Sequence, residues 1–135
     1  MEVLGMAIYH CSVKNISRSS GRSAVACAAY RSGEELEDLE TGITHDYRKK
    51  TGIAFTEIFL CKNAPEKFQN REELWNEVEK IEKAADARLA REIEVAIPRE
   101  LSLEEMKNLV AGYAKMLTEE GMCVDAAIHP VSYTH

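Results

Sequence analysis

Tyr30 is followed at once by Arg31 and preceded in the same stretch by Arg18 and Arg22. A free phenol, with a pKa of about 10, is only ~0.1% ionised at neutral pH. A tyrosine that attacks an electrophile therefore needs a base, a metal or cationic groups at hand, and the nearby arginines make its surroundings electropositive. Set among small residues, a tyrosine is more often a core or surface packing side chain than a nucleophile. His129 closes an alternating segment near the end of the sequence. It is either a satisfied polar residue or one ligand of a metal, and a catalytic metal typically takes about three protein ligands. His10 shares its parity, and His45 and His135 lie in loop and tail, none at a recognisable metal spacing. Glu92 and Glu94 alternate along a short run. Such carboxylates are ordinarily solvated; facing a site, they act as a base or support a metal ligand.

The elements that must hold these groups are marked by period and punctuation. Residues 6–14 alternate with Ala7, Tyr9, Cys11 and Val13 on one face and Ile8, His10, Ser12 and Lys14 on the other, which predicts a strand. "NISRSSGRS" reads as a loop, and residues 23–31 as a short helix of small residues carrying Tyr30 near its end. Residues 34–52 read as a mobile polar connection with a short hairpin arm near Thr44–Tyr47, and residues 53–60 as a strand. Asn70 with Glu73, and Ser102 with Glu105, have the spacing of capping boxes. They open helices reaching to about Asp86 (stripe Leu74, Trp75, Val78, Ile81, Ala85) and about Glu119, the latter stopped by Gly121. Residues 91–97 and 122–129 alternate as strands, the first ended by Pro98. The order is βαββαβαβ, the arm aside. It predicts an α+β fold, a mainly antiparallel sheet with helices packed on one face. The open face would carry His10, Glu92, Glu94, Asp125 and His129.

Composition sets the frame. The 135 residues make one domain. Apolar residues at 45% and charged residues at 30% belong to a folded chain. No apolar run approaches the ~20 residues of a membrane span, and the first residues lack the pattern of a signal peptide. The net charge of −6 argues against a general nucleic-acid binder. The charge is uneven, however. Up to residue 33, Lys14, Arg18, Arg22 and Arg31 stand against Glu2 alone, giving +3 and leaving −9 for the remainder. Cysteines at 11, 27, 61 and 123 form no C-x-x-C motif and read as reduced thiols, which suits a cytoplasmic location.

The segments "MAIYHCSVKNISRSSGRSAVACAAYRSGE", "HDY", "TEIFL", "ELWNEVEKIEKAADARLAREIEVAIPRELS" and "EEGMCVDAAIH" resemble, in that order, the N-terminal domain of MobA/MobL-type relaxases of the HUH class, the nickases of bacterial plasmid mobilisation. The resemblance runs from residue 6 to about 129. Residues 1–5 precede the usual start, which makes Met6 the expected initiator. The resemblance implies that Tyr30 is the nucleophile, attacking one phosphodiester at the origin of transfer to give a 5′-phosphotyrosyl enzyme and a free 3′-hydroxyl. It implies that Glu92 is the nearby acid that takes the proton. It makes His129 the first of three histidines holding a divalent metal, Mg or Mn, which would neutralise charge developing on the phosphate. The family's H-x-H segment has no counterpart in "HPVSYTH", so the reading is a relaxase domain cut short of its remaining ligands, with 130–135 off the pattern.

The implied partner is single-stranded or supercoiled plasmid DNA at the origin of transfer, gripped through phosphates and stacked bases. Lys14, Arg18, Arg22 and Arg31 are the candidate DNA contacts, and accessory mobilisation proteins and a coupling protein are expected beside them. Two other readings stay open: a rolling-circle replication initiator of the same class, and a non-catalytic DNA-binding module. The order of tyrosine first and histidine last favours the relaxase.

Overall fold

Small residues dictate where the central helix forms and how closely it packs. The computed structural model describes residues 11–18, 23–82, 88–97 and 100–129, so His10, Arg22, Ala85, Asp86, Pro98 and His135 lie outside the described residues. Helix α1 spans Ala24–Ser32. Ser23 caps it, its side chain accepting from the Ala26 N–H, and Gly33 closes it in the left-handed conformation at φ 69°. One face, Val25, Ala28 and Ala29, is buried with Leu36 beneath Tyr47 and Trp75. Ala24, on another side, joins Ile16 and Leu89 in a second apolar cluster against Trp75 and Val78.

The strands are β1 (Cys11–Ser17), β2 (Glu35–Asp38), β3 (Ile43–Asp46), β4 (Phe55–Phe59), β5 (Arg88–Val95) and β6 (Val124–Ile128). Helix α2 is Arg71–Ile81 and α3 is Leu103–Glu119. The fold is α+β and every pairing is antiparallel: β1 with β5, β2 with β3, β4 with β6. Among the described residues these make three two-stranded ribbons. Alternation tells which residues of a strand share a face, but not which strand lies beside it.

Three local expectations are corrected. Strand β1 continues through Ile16 and Ser17, where a loop was expected. Its buried residue is Ile16, of the same parity as Lys14, while Val13 is 58% exposed. The reason is that the α1–α2 core covers the end of this ribbon that holds Ile16 and Leu89. Residues 34–52 are not a loose connection. They contain the β2–β3 hairpin, docked by Leu36 and Asp38, both buried, and by Asn76, which donates to the Glu37 carbonyl and accepts from the Leu39 N–H. Helix α2 stops at Ile81, which is exposed instead of lying on the apolar stripe. Cys61 and Cys123, both free thiols, come together just beyond the Phe59–Val124 pair of β4 and β6, where their sulfurs lie 3.4 Å apart.

Helix α3 is held at its start by the reciprocal Ser102–Glu105 capping box, as its spacing predicts. It packs on the β4–β6 ribbon, with the Lys107 ammonium over the Phe55 ring. Among the described residues no helix is long and apolar enough to cross a membrane.

Candidate active site

The last turn of α1 gathers side chains from three distant parts of the chain. Alanines on its buried face turn Tyr30 outward, leaving it 48% exposed. The next residue, Arg31, is the junction. Its guanidinium pairs with Glu92 and, at 2.8 Å, with Glu94, both on β5. Its backbone carbonyl accepts a hydrogen bond from His129 Nε2 at 2.8 Å, just beyond β6. Burial disfavours the Arg31 charge, but hydrogen bonds and charge from Glu94 and Glu92 outweigh it and raise its pKa above the ordinary arginine value. Tyr30, Glu92 and His129, 99 residues apart at the extremes, are thus linked to one helix end.

Tyr30 has two further neighbours that its sequence context did not reveal. Tyr47 meets it edge-on, with ring centroids 5.3 Å apart. The Lys50 ammonium lies over the Tyr30 ring, 3.5 Å from its centroid, and donates to the Tyr30 carbonyl at 2.8 Å. The signal for Tyr47 was the "HDY" segment of the resemblance, and for Lys50 only the short basic run Arg48, Lys49 and Lys50, inside a stretch that read as a connection.

The other expected site residues are placed differently. Arg18 donates to the Glu79 carboxylate and carbonyl on α2, both at 3.0 Å. Glu79 is buried and also accepts from the Ala24 N–H, so Arg18 is built into the anchoring of α1. Lys14 is exposed and stands directly across from Glu92 in the β1–β5 register. Arg22 lies outside the described residues. Asp125 is not on an open face. Arg71 of α2 grips it through two nitrogens at 2.7 and 2.8 Å, Trp75 Nε1 donates to it, and the same arginine holds Glu34. This cluster ties β6 to α2 beneath the site.

Among the described residues, no three His, Cys, Asp or Glu side chains gather into a group able to hold a metal ion. His129 offers one nitrogen, Nδ1, because Nε2 is committed to the carbonyl of Arg31. Glu92 and Glu94 are committed to the guanidinium of the same residue. These residues therefore do not by themselves fit the divalent metal that the resemblance implies, and no chemical step follows from it here.

Residues 22–134 match the family model described as MobA/MobL family. The chain belongs to the MobA/MobL family. Among curated relatives, this MobA/MobL chain is 47% identical over 125 residues to Mobilization protein MobL of Acidithiobacillus ferridurans, covering 92% of the chain and 32% of that protein. It is 38% identical over 135 residues to Conjugal transfer protein TraA of Rhizobium radiobacter, covering 92% of the chain and 12% of that protein. It thus spans about a third or less of the length of these relatives. A solved structure, described as "Molecular Basis of Vancomycin Resistance Transfer in Staphylococcus aureus", superposes with a TM-score of 0.88 at 36% identity, covering 93% of the MobA/MobL chain and 64% of the other.

Proposed function

We propose that this chain is the strand-nicking domain of a plasmid-mobilisation relaxase. Tyr30 Oη attacks the phosphorus of one phosphodiester of single-stranded DNA at an origin of transfer. The new O–P bond replaces the bond from phosphorus to the 3′-oxygen, leaving a 5′-phosphotyrosyl enzyme and a DNA end that takes up a proton as a 3′-hydroxyl. Glu92 receives the phenol proton. Because one ester replaces another, the reverse attack by a 3′-hydroxyl rejoins the strand.

The observation that carries this reading is the junction at Arg31, which ties the tyrosine-bearing turn of α1 to Glu92 through its side chain and to His129 through its backbone. Its relatives' names, mobilization and conjugal transfer proteins, agree with it. Arg31 has a role beyond the DNA contact expected of it. By clamping Glu92 and Glu94 it fixes the acid relative to the helix that carries the nucleophile. Lys14, exposed across from Glu92, is the cation we assign to the DNA backbone on this side.

The test uses the complete gene product with labelled single-stranded oligonucleotides tiling its own plasmid, in Mg²⁺ or Mn²⁺. We expect a covalent protein–DNA adduct with one of them, resistant to denaturation, which vanishes in Tyr30→Phe. An adduct that survives this substitution would remove Tyr30 from the reaction.

A further inference from the structure

Three consecutive cations, Arg48, Lys49 and Lys50, follow the β2–β3 hairpin, and they do different things. The Arg48 guanidinium is held by Asp46 and Glu35. Lys49 is exposed. Lys50 is half-buried, with its ammonium over the face of the Tyr30 ring and one N–H donated to the Tyr30 carbonyl. The turn that brings it there is itself fixed: the Lys50 N–H donates to the Tyr47 carbonyl at 2.9 Å, and the Tyr47 N–H to the Glu34 carbonyl at 3.1 Å. A lysine stem is costly to immobilise. Holding this one at two points of a single residue therefore requires the attraction of the ring for the cation and of the carbonyl for the N–H. With Tyr47 packed perpendicular to the same ring, Tyr30 is confined by two side chains of one short segment.

We propose that Lys50 is the positioning residue for the nucleophile. Resting on the assignment of Tyr30 above, the ammonium holds the ring plane in the orientation from which Oη meets phosphorus. It keeps a positive charge beside the phenol as the negatively charged phosphate approaches. It acts through Tyr30: the cation and the ring stay together before and after the O–P bond forms, and no proton leaves Lys50.

Two measurements test this. The first needs no activity. In the NMR spectrum of the protein, the Lys50 ε-methylene protons carry an upfield ring-current shift that disappears in Tyr30→Leu. Unshifted protons would overturn the proposal whatever the protein does to DNA. The second compares adduct formation under saturating oligonucleotide. Lys50→Gln slows the covalent step by about tenfold with oligonucleotide affinity changed less than about twofold, and Lys50→Arg, whose guanidinium also stacks on rings, recovers most of the rate. Lys49→Gln serves as the reference, leaving the covalent rate unchanged. An equal rate in Lys50→Gln overturns the proposal. So does a loss explained by affinity alone, which would make Lys50 a plain phosphate contact. Failure of the relaxase reading looks different: no adduct from the unaltered protein, or an adduct retained in Tyr30→Phe, with the ring-current shift still present.

Discussion

His129 donates from Nε2 to the backbone carbonyl of Arg31 at 2.8 Å. A carbonyl has no proton to give, so this contact fixes the tautomer of the neutral ring: the hydrogen sits on Nε2 and the lone pair on Nδ1. We expect long-range proton–nitrogen correlation spectra to show His129 with a protonated Nε2 and a bare Nδ1. A dominant Nδ1–H form would mean that the contact does not persist in solution.

Gly33 ends α1 two residues after Arg31, at φ 69°, and a Cβ added there would run into Ile53 Cδ1. Gly33→Ala therefore meets a left-handed backbone penalty, while the Ile53 methyl, the far end of a flexible side chain, can move aside at small cost. The expected cost is about 1 kcal/mol, read as a fall in thermal midpoint of roughly 3–5 °C. An unchanged midpoint would mean that position 33 leaves the left-handed conformation at no cost.

Glu79 is buried and holds two partners, the Arg18 guanidinium and the Ala24 N–H at the start of α1. Glu79→Gln keeps the shape and removes the charge. We expect a loss of about 1–3 kcal/mol in denaturant unfolding. In a double-mutant cycle with Arg18→Gln, the two losses together should fall short of their sum, because both remove one interaction. Additive losses would separate Arg18 from the anchoring of α1.

Asp46 is exposed on β3, and side-chain and backbone hydrogen bonds with Arg48 hold its carboxyl down to about 2. A depressed carboxyl contributes stability above its unfolded value and loses it as pH falls through the folded one. The hairpin contact therefore persists down past pH 4 and opens toward pH 2. Carboxyl carbon titration should give Asp46 a midpoint near 2, rising part of the way to the ordinary carboxylate range in Arg48→Gln, where the backbone N–H at position 48 still donates. An unmoved midpoint would exclude Arg48 as the cause.

The capped starts of α2 and α3, the small-residue helix under Tyr30 and the existence of strands β5 and β6 were all legible in the sequence, because each rests on local spacing; which faces of those strands are covered was not, since Val95 is exposed and Asp125 is held by α2. The burial of Ile16 in place of Val13 was not, since it depends on which end of a ribbon the helices cover. Nor was the hairpin over residues 35–46 readable as ordered structure: it docks through Asp38 and Asn76, polar groups whose partners lie on other elements. Tyr30, Glu92 and His129 were each singled out as residues. What joins them was not foreseeable, for it runs through the side chain of Arg31 in one direction and its carbonyl in the other. Lys50 was not singled out in the sequence at all, and only the path of the turn distinguishes it from Arg48 and Lys49.

Helix α1 has nine residues and is about 13 Å long. Glu79 grips its first N–H, and Gly33 and His129 engage carbonyls of its last turn. A short rod held at both ends and packed along its Val25, Ala28 and Ala29 face has lost its translations, its tilt and its spin. Arg31, projecting sideways to two carboxylates on β5, ties that rod to the strand. The bearing of Tyr30 is then set to the same reference as Glu92 on β5, and Glu79, at the far end of the helix, anchors the other end of that same rod.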